Sequence, residues 1–313
     1  MNLLDILRAR AGSLAEGDFT LGINAIVQHV DVATKHLLRG QESGDETAFT
    51  DAIYRTNQAF EGSLKEAYRV LAGKDPAHET PNNIESYLQQ ENLLRPRVLA
   101  QFTNYRREWR NPSTHDYRLD FDENEALLAI VTVSAFAIVL VDQITERISF
   151  EQARAATTRA SEPVPTSQPL IEQVSGLIEQ FVAEFNQTHA GRTDVREVEI
   201  TGALTGYLAR TSPQLNAQME SSLGPGRSAR VDLLVADGEE RLLVEVKGPR
   251  FVPRIGLQES LQRLSHYMSL SGINHAILFV FVIPNDGTVS RTEHPAQGTN
   301  GRIVIISTVR EAA

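Results

Sequence analysis

The residues from Thr157 to Pro169, TTRASEPVPTSQP, set three prolines among small polar side chains, and the hydrophobic pattern differs on their two sides. Proline locks φ and has no N–H to donate, so a stretch of this kind reads as a semi-extended connector. At 313 residues the chain is long for one domain and comfortable for two. The expected organisation is a helical domain over 1–158, a linker over 159–169 and a second domain over 170–313.

Ahead of the linker the apolar residues recur at helical spacing. Leu3, Leu4, Ile6 and Leu7 open a short helix, and Ile23, Ile26, Val27, Val30 and Ala33 mark a second. Phe49, Ile53, Phe60, Leu64, Ala67 and Leu71 mark a third, stopped by Gly73 and Pro76. A fourth is expected from about Asn83 to Arg110, stopped by Pro112, and a fifth from Glu125 to Ile148. No segment here alternates with the period of a strand, which predicts an all-α bundle. The fifth helix contains 16 uncharged residues, Ala126 to Val141, fewer than the roughly 20 that a membrane span needs. It carries Thr132 and Ser134 and is closed by Asp142, so it reads as the central helix of the bundle.

Beyond the linker the pattern becomes mixed. Leu170, Ile171, Val174, Ile178, Phe181 and Phe185 form one amphipathic helix, and a second covers about Val195 to Arg210. Two β-rich runs follow, Arg230–Ala236 and Arg241–Val246, joined by the turn sequence DGEE. A helix from about Gly256 to Ser271 and strands at His275–Ile283 and Arg302–Ser307 complete an α/β order.

Thirty basic against forty acidic residues give a formal net charge of −10, which opposes non-specific coating of nucleic acid but leaves room for a local cationic groove. There are no cysteines, so disulfides, thiolate zinc sites and cysteine nucleophiles are excluded. The N-terminal MNLLDILRARAG has charges among its apolar positions and does not read as a signal peptide, so a cytoplasmic chain with no membrane contact is the expectation.

The residues with the most chemistry lie in RVDLLVADGEERLLVEVKG. Glu245 ends a strand that is apolar on both faces, where an unpartnered carboxylate costs several kcal/mol. Glu245 and Lys247 are two apart and project to the same side, and Asp232 on the other arm of the hairpin can be brought alongside. Two carboxylates and an ammonium on one sheet face suit a hard divalent cation such as Mg²⁺ or Mn²⁺, which takes oxygen ligands and keeps several waters. Asp232 and Glu245, with the Val246 carbonyl, are the expected ligands, and Lys247 is expected to orient or deprotonate the attacking water and to offset transition-state charge. A surface ion pair on an edge strand is the plainer alternative. Arg227, Arg230, Arg250, Arg254 and Arg263 surround this segment in sequence and would add a local positive field, or are simply solvated.

This constellation resembles the PD-(D/E)XK nuclease superfamily, over about 140 residues from Leu170 onward. The resemblance implies a restriction-endonuclease-like α/β domain and Mg²⁺-dependent hydrolysis of phosphodiester bonds, with DNA favoured and RNA possible. It also implies an acid on the first helix, for which Glu197 is the better candidate and Glu199 the alternative. Some members carry a Gln and a Tyr on the following helix, matched here by Gln262 and Tyr267 with one residue too many between them. Val231 stands where the motif usually has proline.

The helical half holds NYRREWRNPSTHDY, in which Arg110, polar Asn111 and His115 follow one another with Pro112 between. This resembles the HEPN superfamily of small helical bundles, often dimeric and often metal-independent ribonucleases, and Glu61 with Lys65 resembles its Glu-x-x-x-Lys pair, although Glu66 stands where a basic residue is common. The resemblance implies that His115 moves the proton of the RNA 2′-OH or of the leaving oxygen, while Arg110 clamps the phosphate. Tyr105, Arg106, Arg107 and Trp109 would line the approach. The structural alternatives are that Arg110 caps its helix and that His115 pairs with Asp116 or Asp120. The pairing of the two domains resembles bacterial antiphage effectors, which implies a homodimer through the helical domain and a partner defence protein. A non-catalytic nucleic-acid-binding dimer is the remaining expectation.

Overall fold

A computed structural model of the chain describes residues 2–14, 16–91, 93–94, 96–116, 118–156, 168–189, 191–224, 229–283 and 287–308. Two compact units divide the chain, Met1–Thr145 and Glu146–Ala313. Most of the proline-rich connector, 157–167, lies outside the described residues.

Among its described residues the first unit contains no strand, and its α-helices are α1 (Leu3–Gly12), α2 (Thr20–Ser43), α3 (Thr47–Leu71), α4 (Pro81–Gln90), α5 (Pro96–Tyr105), α6 (Asn111–His115) and the start of α7 (Glu123–Ala156). Caps set several ends. Asn2 Oδ1 accepts from the Leu4 N–H at 3.1 Å to start α1, Thr80 Oγ1 accepts from the Asn83 N–H at 3.2 Å to start α4, and Gly44 at φ 70° ends α2. Ala33, Leu37, Phe49, Ala52, Ala126 and Ile130 join α2, α3 and α7 in one buried cluster. Phe60, Phe102, Tyr105 and Phe136 form an aromatic centre with ring centroids 4.3 to 6.0 Å apart. By length and composition α7 contains a window apolar enough to cross a membrane, and 56% of that window is buried inside the fold.

The single helix expected from Asn83 to Arg110 is broken into pieces. Pro96, which cannot donate to a preceding turn, opens α5, and Arg106–Arg110 form one π turn before α6. The Asn111 N–H reaches back five residues to the Arg106 carbonyl. Pro112 therefore stands in the first turn of α6, where its missing N–H costs nothing, and does not terminate the segment.

The second unit has helices α8 (Leu170–Thr188), α9 (Glu197–Thr211) and α10 (Pro253–Ser271), and strands β1 (Asn216–Leu223), β2 (Ala229–Asp237), β3 (Glu240–Lys247), β4 (His275–Val280), β5 (Ser290–Pro295) and β6 (Arg302–Ser307). They form one mixed six-stranded sheet in the order β1-β2-β3-β4-β6-β5. β1, β2 and β3 are antiparallel, β3, β4 and β6 parallel, and β5 antiparallel to β6. The β2–β3 turn is Gly238–Glu239, with Gly238 at φ 59° as a tight hairpin requires. Helices α8 and α9 cover one face through Ile178, Phe181, Leu204, Val244, Phe279 and Val304; α10 covers the other through Leu264, Met268, Leu243, Leu278 and Ile305. The edge strands β1 and β5 have no counterpart in the sequence-based expectation.

The last turns of α7 pack in this second unit, so the division falls inside a helix rather than at the linker. Gly202 and Gly206, one turn apart on α9, make the contact: a Cβ on either would sit 2.2 Å from the carbonyl oxygen of Glu146 or of Phe150. Only glycine allows two helix backbones to approach so closely.

Candidate active site

The geometry of the site begins with an interruption in the sheet. The β2–β3 ladder stops at Leu233↔Val244, one step short of the Asp232–Glu245 position. There the Val246 N–H donates to the Asp232 carboxylate at 2.8 Å. On the other side of β2, the register would set Asp232 against Glu220, but that pair is missing from the ladder and Glu220 has φ 52°. A left-handed glutamate is a costly backbone state that is found where surrounding structure enforces it. Val231 packs with the α10 side and Leu233 with the α8–α9 side, so the alternation of β2 breaks at Asp232.

Glu245 is buried, with 5% of its surface exposed. Its Oε1 accepts from Lys247 Nζ at 3.0 Å and lies 2.9 Å from an Arg263 guanidinium nitrogen. Its Oε2 is buried and has no hydrogen-bond partner. Lys247 Nζ also donates to the Val246 carbonyl at 2.8 Å. Burial and the charge of Glu245 push the Asp232 carboxyl up to about 7, against the opposing pull of Lys247 and of the Val246 N–H. Tyr267, on α10, feels the same field: burial and the Glu245 charge raise its hydroxyl.

The two candidate acids of α9 have different surroundings. Glu197 Oε2 accepts from the Gly248 N–H at 2.9 Å, and its Oε1 lies 3.9 Å from Lys247 Nζ. Glu199 is buried, accepts from the Arg196 N–H at 3.1 Å and pairs with Arg192 at 2.9 Å, so it ties down the start of α9. Gly248 makes the close approach of α9 possible. A Cβ there would lie 2.9 Å from Glu197 Cβ and 3.0 Å from its Cα. Gly248→Ala is accordingly expected to push the first turn of α9 away, lowering stability by about 1–3 kcal/mol and any cleavage by roughly 10- to 100-fold. Denaturation and cleavage assays on one preparation check both effects, and unchanged activity would separate Glu197 from the site.

Gln262 is exposed. One residue is about 100° of helix, and it is Arg263, in register with Tyr267 one turn on, that faces Glu245. Among the other arginines, Arg230 lies 3.5 Å from Glu220 and Arg250 is exposed, while Arg227 and the side chain of Arg254 lie outside the described residues.

No family model, curated protein or solved structure matches this chain.

Among the described residues no group of three or more His, Asp or Glu side chains is placed to hold a metal ion. A cation in this second unit would have two carboxylates and a carbonyl, with water or substrate completing its shell, a donor set that suits Mg²⁺ or Mn²⁺. The buried, unpartnered Glu245 Oε2 near Asp232, whose carboxyl is pushed up by burial and by the Glu245 charge, is the feature that fits such an ion.

In the first unit Arg110 donates to Glu61 at 2.9 Å and to Asn111 Oδ1 at 3.3 Å, so it is an ion-pair partner, not a helix cap. His115 is exposed at the end of α6, and neither Asp116 nor Asp120 pairs with it. Glu61 and Thr114 line a cavity of about 550 Å³ together with His36, Arg55 and Gln58. Two residues expected along the approach are engaged elsewhere. Tyr105 is fully buried, its hydroxyl 2.6 Å from Thr56 Oγ1 and 3.0 Å from Asn57 Oδ1, and Arg106 is paired with Glu85 at 2.8 Å. The ring of Tyr105, the last residue of α5, faces inward to satisfy the core, which its polar neighbours in sequence conceal. Trp109 stacks on Tyr105 at 5.4 Å. Glu66 is buried beside Arg69 at 3.3 Å, and burial raises its carboxyl.

Proposed function

We propose that the second unit is a divalent-cation-dependent nuclease that hydrolyses phosphodiester bonds, with DNA as the favoured substrate. The observation that carries the reading is the juxtaposition at the splayed end of β2 and β3. Burial and the neighbouring Glu245 charge push the Asp232 carboxyl up, and one Glu245 oxygen is buried without a donor. A pair of like charges in this state is poorly matched to a purely structural role and well matched to a bound dication.

Asp232, Glu245 and the Val246 carbonyl would hold the ion, which would polarise the phosphoryl group and make a water more acidic. Lys247, with its ammonium within 3.0 Å of Glu245, would orient the attacking water and offset charge that builds on the phosphorane. Glu197 accepts from Gly248 and lies near Lys247, and so positions the lysine and the end of β3 rather than ligating directly. A restriction-endonuclease-like domain and a role in antiphage defence, with a homodimer and a partner protein, complete this reading on the strength of resemblance alone.

A second reading attaches to the first unit, where the Arg110–Glu61 ion pair joins two separate segments beside a cavity. In that reading Arg110 clamps an RNA phosphate and His115 transfers the proton, without metal, in a HEPN-like bundle.

Incubation of the full chain with labelled DNA and RNA, each with Mg²⁺ or with EDTA, tests both. DNA cleavage in Mg²⁺ that EDTA abolishes is the expected result, and no cleavage of either polymer with any divalent ion overturns the nuclease reading. RNA cleavage that survives EDTA and disappears in His115→Ala belongs to the second reading.

A further inference from the structure

We propose that Arg263 is an internal counter-ion for the cation site, held on Glu245 in the cation-free protein and released to a substrate phosphate when a divalent ion takes its place. The inference rests on the reading of Asp232 and Glu245 as a cation site. Its starting point is an uneven distribution of donors. Lys247 and Arg263 both crowd one oxygen of Glu245, at 3.0 and 2.9 Å, while the other oxygen has none. A guanidinium beside a carboxylate ordinarily engages it with two parallel bonds. Arg263 instead offers one nitrogen, its buried Nε has no acceptor, and 39% of its side chain remains open to solvent. Half of its fork is therefore uncommitted and adjacent to the place where a phosphate would approach the ion.

Charge makes the exchange directional. Asp232, Glu245 and the nearby Glu197 can carry three negative charges, which Lys247 and Arg263 largely offset in the absence of an ion. A dication on the same carboxylates leaves an excess of positive charge in a partly buried volume, and the guanidinium, at the mobile end of a long side chain on α10, is the group free to leave. A phosphodiester carries the negative charge and the paired oxygens that a displaced guanidinium takes up best. The arrangement opposes ion binding in the free protein and favours it once substrate is present.

Two measurements on the full chain test this, calorimetric titration with Mn²⁺ alone and steady-state cleavage of DNA in saturating Mg²⁺. Arg263→Gln is expected to bind Mn²⁺ roughly 3- to 10-fold more tightly than the wild type, because a competing positive charge is gone. Its KM for DNA is expected to rise roughly 10-fold, with a smaller change in kcat. Arg263→Lys keeps the charge without the fork, so it should restore wild-type Mn²⁺ affinity but not KM. That variant carries the test alone if Arg263→Gln does not fold. Mn²⁺ affinity that is unchanged or weaker in Arg263→Gln overturns the role of Arg263 while leaving the cation site intact. A wild-type protein that binds no Mn²⁺ overturns the site and this role together.

Discussion

On the proposed nuclease reading, Asp232→Asn is expected to reduce Mg²⁺-dependent cleavage by at least about a thousandfold, because it removes a ligand charge from the proposed two-carboxylate site and with it the ion and the polarisation it would supply. The same substitution will make the cation-free protein more stable. The Asn amide oxygen can still accept from the Val246 N–H, and the charge that opposes Glu245 is gone. In the folded chain burial and the Glu245 charge push the Asp232 carboxyl up to about 7, whereas its ordinary value is 3.8. Between those values the folded state holds a proton that the unfolded state has lost, so the wild type loses stability as pH rises through this window and levels off above it. The gain from Asp232→Asn is thus near zero at pH 4, grows towards pH 7 and is constant beyond, at about 2 kcal/mol after allowance for solvent around a partly exposed group. Thermal denaturation at pH 5 and pH 8 in EDTA measures it. A variant less stable than the wild type at pH 8 would make Asp232 a structural acid.

Gly202→Val should cost the second unit more than about 3 kcal/mol. The new Cβ would meet the Glu146 carbonyl oxygen at 2.2 Å and its carbon at 2.9 Å. These are backbone atoms of α7, so no rotamer change relieves the clash and the two helices must separate. Gly176 on α8 is the control, since a Cβ there meets nothing within 4 Å. Gly176→Ala should stabilise by about 0.5–1 kcal/mol through helix propensity alone. Denaturant midpoints of the two variants should move in opposite directions. A tolerated Gly202→Val would mean that α7 does not pack on α9 at this distance.

The glycines in close contact also show what a sequence reading can and cannot reach. The β2–β3 hairpin was legible because its turn, DGEE, and its flanking β-branched and leucine runs are local signals. Glu245 and Lys247 were legible because residues two apart on a strand share a side. The requirement for glycine at 202, 206 and 248 comes from atoms distant in sequence, at Glu146, Phe150 and Glu197, and leaves no local mark. β1 and β5 escaped notice for a different reason: both are edge strands, and their part-exposed residues are largely polar, as in SRTEHP. That Arg263, one residue beyond Gln262, is the side chain at Glu245 depends on about 100° of helix rotation, which one amphipathic pattern does not resolve. In the first unit the apolar spacing continued through Leu93, Leu94 and Val98, and so hid the break before Pro96.

Calorimetric titration of the metal-free full chain with Mn²⁺ at pH 8 tests most directly whether Asp232 and Glu245 share an ion. One binding event per chain, lost in both Asp232→Asn and Glu245→Gln, is the result expected. Absence of binding to the wild type, or binding that survives both substitutions, would contradict it.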